Sequence, residues 1–126
     1  MTTAELRREF HFWRRWLKIG SGAVRLRRRP PRDGSCWMEA QWDRGTAGSV
    51  STVFYSPDLL AKSGRFVARC VIHELIHVMH RPYTDIIDGY ADENALFRTT
   101  HRAKLTAAEE SVVDALAWRI ARGAER

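Results

Sequence analysis

The ten residues Val71-Ile72-His73-Glu74-Leu75-Ile76-His77-Val78-Met79-His80 constrain this chain more than any other stretch. They carry His-Glu-x-x-His inside an apolar run. Residues four apart on an α-helix lie on one face, one turn above the other. His73 and His77 can therefore aim two neutral imidazole nitrogens at one metal ion. Glu74 sits about 100° round the helix from His73, beside such an ion and not on it. A carboxylate there can take a proton from water that the metal has acidified. Phe66, Val67, Cys70, Val71, Leu75 and Val78 make the segment apolar and helical, and Pro82 is expected to stop it. Two histidines and a glutamate on a half-buried helix call for a use, because burying such groups unpaired is costly.

With 126 residues, the chain is expected to form a single domain, 1–126, with one modest core. Its apolar fraction of 44% and five Trp argue against a disordered chain. The net charge of +6 is uneven: residues 1–32 hold ten of the 21 Lys and Arg against two acidic residues. This basic N-terminal third reads either as a solvated face or as a patch for nucleic acid or another polyanion. Cys36 and Cys70 are too few for a disulfide framework, and Cys70 reads as a small apolar filler of the helix. No run approaches the 18 apolar residues of a membrane span, and the N-terminus lacks an apolar leader, so a cytoplasmic chain without a membrane partner is expected.

Helical spacing of Leu6, Phe10, Trp13 and Leu17 predicts a helix over residues 3–19 with Thr3 as its cap. Period-two alternation predicts strands at Ala23–Arg29, Cys36–Trp42 and Ser49–Tyr55, with a turn at Pro30–Gly34 and a loop at Asp43–Gly48. Ser56-Pro57-Asp58 starts a short helical turn through Leu60. Residues 82–104 look irregular: Asp85–Tyr90 reads as a loop, and Asp92–Arg102 as a short helix with Ala95, Leu96 and Thr99 inward. Thr106 reads as the cap of a last helix, Ala107–Arg122, whose core face is Val112, Val113, Leu116, Ala117 and Ile120. The expected class is α+β: an N-terminal helix, a small three-stranded, mostly antiparallel sheet, the His-Glu-x-x-His helix and a C-terminal helix.

On the motif His73-Glu74-Leu75-Ile76-His77, the chain resembles the zincin metallopeptidases, and within them the minimal gluzincin-like domains familiar from bacteriophage genomes. The extended metzincin pattern would need Gly at 80 and His at 83, where this chain has His80 and Tyr83. The resemblance implies a zincin-like fold in a bacterial or phage-infected cytoplasm. It also implies bound zinc and hydrolysis of a protein or peptide substrate with Glu74 as general base. In that family the strand before the active-site helix edges the cleft and pairs with extended substrate, which here would be Val50–Tyr55.

Catalytic zinc usually takes three protein ligands. His80 is set aside because seven residues span about 10 Å of helix from His73. Glu93, His101, Glu109, Glu110 and Asp114 are the downstream candidates. In gluzincins a later glutamate completes the metal, and an acid four residues on orients the first histidine; Glu110 and Asp114 match that pattern. A ligating histidine does need a carboxylate on its other ring nitrogen. Glu109 is expected to turn about 100° away from Glu110 and to be near neutral for the metal. The choice of Glu93 would follow the regulator-cleaving phage and bacterial zincins, and that of His101 the SprT-like domains. Tyr83, Tyr90 and His101 are candidate oxyanion donors. The alternative reading is a non-catalytic, zinc-stabilised nucleic-acid-binding or virion-associated module that uses Arg25, Arg27, Arg28, Arg29 and Arg32.

Overall fold

In a computed structural model, the described residues (1–32, 34, 36–43 and 49–123) form three strands, four α-helices and one 3-10 turn. The α+β class with helices at both ends is as expected. Helix α1 spans Thr3–Trp16, and its cap is Thr2, one residue before the expected Thr3. Thr2 accepts from the Glu5 N–H, and Glu5 returns a bond to the Thr2 N–H, each 3.1 Å. This reciprocal pair satisfies two donors that the first turn would otherwise leave open. Leu6, Phe10 and Trp13 bury its inner face.

Strands β1 (Val24–Arg28), β2 (Met38–Gln41) and β3 (Ser51–Tyr55) form a sheet in the order β1-β3-β2. The sheet is mixed, which corrects the mostly antiparallel expectation: β1 pairs parallel with β3, and only β2 is antiparallel to it. The reason is topological. β2 follows β1 in the chain but takes the hairpin place beside β3, so β1 joins the opposite side of β3 in the same direction. Val24, Leu26, Met38, Val53 and Tyr55 point into the core. Arg25, Arg27, Glu39, Gln41, Thr52 and Phe54 share the other face by register. Of the expected turn at Pro30–Gly34, Asp33 lies outside the described residues; of the loop at Asp43–Gly48, residues 44–48 do. The short turn after Ser56 is the 3-10 segment Pro57–Ala61, capped by Ser56.

Helix α2 spans Gly64–Glu93 and is the axis of the molecule. Val67, Ala68, Val71, Ile72 and Leu75 close the core against α1 and the inner face of the sheet. Contrary to expectation, Pro82 lies inside α2 and Asp85–Tyr90 is helical. Proline removes one ladder bond at a cost of about 3 kcal/mol, but side-chain bonds clamp the helix on both sides of it. Arg81 donates to the carbonyls of Ser49 (2.7 Å) and Asp43 (3.0 Å), and Trp42 Nε1 donates to Asp85 (3.0 Å). Asn94 then caps α3 (Ala95–Thr100), accepting from the Phe97 N–H at 3.0 Å.

Helix α4 begins at Arg102 and runs to Gly123, so Thr106 lies within it and caps nothing. Its narrow inner face is Val113 and Ala117, while Val112 and Leu116 are exposed. Leu96 is exposed too, against the inward expectation, because the six-residue α3 only turns the chain back toward α2.

Candidate metal centre

The histidines of α2 and the acids of α4 meet because the two helices run antiparallel. Asp114 lies against Arg69 (3.9 Å) and His73, Glu109 against His77 and His80, and Arg102 against Asp88. Ascending α2 is descending α4.

Glu110 reaches both motif histidines: one oxygen is 3.1 Å from His73 Nε2 and the other 2.9 Å from His77 Nε2. The two Nε2 atoms are 3.2 Å apart. Ligand atoms from His73, His77 and Glu110 all lie within 4.8 Å of one another and could hold a metal ion. A tetrahedral metal ion with bonds of about 2.0–2.1 Å sets its donors roughly 3.3 Å apart, a spacing close to the 2.9, 3.1 and 3.2 Å separations found here.

The outer ring nitrogens fit as well. Asp114 Oδ1 is 3.5 Å from His73 Nδ1, and Glu109 Oε1 is 3.3 Å from His77 Nδ1. A carboxylate there favours the Nδ1–H tautomer and leaves the Nε2 lone pair to a metal. Burial lowers the pKa of His77, aided by His73 and opposed by Glu110 and Glu109, which keeps the imidazole neutral as ligation requires.

Glu74 stands beside this cluster and outside it. Its Oε2 accepts from the Ala40 backbone N–H at 2.8 Å. Burial pushes Glu74 up to about 8, opposed by the Ala40 N–H and supported by the negative charges of Glu110 and Glu39. Glu74 is thus tied to β2, a sheet edge, whereas β3 is central. This corrects the expectation that Val50–Tyr55 edges the cleft. Ala40 turns its N–H away from β3, so the alternate backbone groups of Met38 and Ala40 face the site.

The cleft over the cluster has a volume of about 520 Å³, and its walls include Met38, Trp42, Thr84, Arg102 and Thr106. Tyr83, Tyr90 and His101 are not among its lining residues. Tyr83 stacks on His80 at 5.2 Å, and Tyr90 and His101 pack on Phe97 at 4.8 and 5.9 Å. Arg102 donates to Thr106 and Asp88, and its guanidinium is the cationic group of the wall. Glu93 ends α2 in solvent, and neither it nor His101 joins the cluster. Cys70, raised to about 11 by burial, is an unreactive thiol that lines a smaller recess with Trp37, Met38 and Phe66 behind His73 and Glu74.

The arginines singled out in the sequence do not approach the cluster. Arg25, Arg27, Arg28, Arg29 and Arg32 are all exposed, and Arg29 lies over the Phe54 ring at 3.9 Å. The groove beside Arg25 and Arg32 also holds Glu39, Asp43 and Asp88. Sequence reasoning missed the role of Glu109 and the cleft positions of Ala40 and Arg102. The adjacent pair Glu109-Glu110, one turn from Asp114, was the available signal, since histidines a turn apart need more than one acid. No protein-family model, curated protein or solved structure matches this chain.

Proposed function

We propose that the chain is a zinc-dependent peptidase in which Glu74 is the general base. The observation that carries this reading is the convergence of His73 Nε2, His77 Nε2 and the Glu110 carboxylate, with Glu74 held alongside but outside the donor set. Bound there, zinc supplies a Lewis acid that polarises a carbonyl and makes water acidic near neutral pH. Asp114 and Glu109 fix the tautomers of the two histidines. An extended peptide pairs alongside the edge strand β2, which sets its backbone across the cleft beside Glu74. Glu74 accepts the proton of the attacking water at a carboxylate oxygen and delivers it to the leaving amine. Burial raises the affinity of Glu74 for a proton in the metal-free chain, and the positive charge of a bound metal would oppose this and leave the carboxylate free to accept.

The test is Glu74→Gln, assayed for bound zinc and for cleavage of a mixed-sequence fluorogenic peptide library. The amide keeps the bond from Ala40 but takes no proton. Zinc content and fold should persist while hydrolysis falls by at least about 100-fold. Loss of the metal in this variant would mean that Glu74 is a ligand and not the base.

A further inference from the structure

The core face of α2 does not end where the core ends. Ile72, Ile76, Met79, Tyr83, Ile86 and Tyr90 follow a strict four-three-four-three-four spacing over five turns of the helix. Ile72 is buried and Ile76 packs against the core, but Met79, Tyr83, Ile86 and Tyr90 are 50, 65, 69 and 52% exposed. A 3.5-residue repeat is the seam of a coiled coil, narrower than the face that a globular core covers. At roughly 200 Å² for a whole large side chain, the four exposed residues offer on the order of 500 Å² of largely apolar surface, the size of the largest patch on a monomer, which is often functional.

We propose that this strip of α2 is the interface with a second copy of the chain. Three features favour a second copy over another kind of partner. The spacing is self-complementary: antiparallel pairing about a dyad between Tyr83 and Ile86 sets Met79 against the partner's Tyr90 and Tyr83 against the partner's Ile86, a closed two-fold contact. The antiparallel sense also keeps the two bodies at opposite ends of the paired segment. Next, the positions flanking the strip are His80, Pro82, Ile87 and Gly89, with no Lys, Arg, Asp or Glu. Two chains of net charge +6 therefore meet where neither carries a fixed charge. Last, two strips bury up to about 1,000 Å² in total, the lower bound for a specific interface and the size of a weak, concentration-dependent dimer.

Sedimentation equilibrium of the full chain from about 1 to 100 μM decides this, with Ile86→Glu as the test variant and Val112→Glu on α4 as the control. Both positions are well exposed, at 69 and 59%, so neither change threatens the fold, and circular dichroism checks that. The expected result is a dimer of the 14.6 kDa chain that Ile86→Glu reduces to monomer and Val112→Glu leaves intact. A wild-type chain that is monomeric at 100 μM overturns the proposal, as does a dimer that survives Ile86→Glu or is lost in Val112→Glu. None of these results depends on peptidase activity.

Discussion

At the level of single residues, the site is a ladder of carboxylates on α4 facing a ladder of histidines on α2. If the site holds zinc as proposed, the acids divide into two classes by their effect on its affinity, measured by competition with a chromophoric chelator. Glu110→Ala removes a donor and should weaken binding by more than about 100-fold. Asp114→Ala and Glu109→Ala each remove the partner of an Nδ1 nitrogen and should cost about 10- to 100-fold. A neutral Glu109→Ala would restore the simpler expectation that only one of two adjacent acids can face the histidines. That expectation treated α4 alone; the antiparallel stack lets Glu109 serve His77 while Glu110 spans His73 and His77. His73, Glu74 and His77 were legible because their relation is set within one helix. Glu109, Ala40 and Arg102 were not, because their roles depend on how separate elements pack.

The metal-free protein has a pH signature of its own. Glu74 is raised from 4.5 to about 8, so between those values the folded chain keeps a proton that the unfolded chain has released. Its contribution is full below about 4.5 and lost as pH rises toward 8, by at most about 1.4 kcal/mol per unit. His77 works in the other sense: with its pKa lowered from 6.5, its contribution is present above 6.5 and lost as pH falls through the folded value. Urea unfolding in excess chelator, compared between wild type and Glu74→Gln, isolates the first effect. Relative to the variant, wild type should lose stability from pH 5 to pH 8. A difference that stays flat with pH would mean that Glu74 is already ionised in the folded chain.

Among the elements, α2 departs most from its sequence reading. Pro82 reads as its stop and Asp85–Tyr90 as a loop, because Pro82 and Gly89 argue locally for a break. What outweighs them is tertiary: Arg81, Trp42 and Asp85 bind the helix to the β2–β3 side of the fold, and Asp88 pairs with Arg102. The strands were legible from alternation, yet their order was not, since alternation fixes which face a residue takes and not which strand lies beside it. Pro82→Ala tests the account of α2. Restoring an N–H to the Val78 carbonyl should raise stability by about 1–3 kcal/mol, or several degrees in melting temperature. A lower melting temperature would mean that the proline shapes the helix in a way the clamps need.

For the molecule as a whole, the uneven charge can be referred to an edge. β1 and β2 are the two edges of the sheet, and they meet solvent differently. β2 faces the cleft and α2, whereas β1 presents Arg25, Arg27 and Arg28 to solvent, and Arg29 covers Phe54. Long cations on an exposed edge discourage another strand from pairing there. The three acids near Arg25 and Arg32 weigh against a groove tuned for polyanions alone. Replacing Arg25, Arg27 and Arg29 together by Ser halves the net charge from +6 to +3. Zinc content and peptide cleavage should be unchanged, because none of the three approaches the cluster. The variant should instead aggregate at lower concentration and on milder heating, followed by light scattering. Binding of a DNA oligonucleotide over a salt series distinguishes the other outcome. If solubility is unchanged while the slope of log K against log salt falls by about 0.9 per lost phosphate contact, these arginines bind nucleic acid and are not guards of the edge.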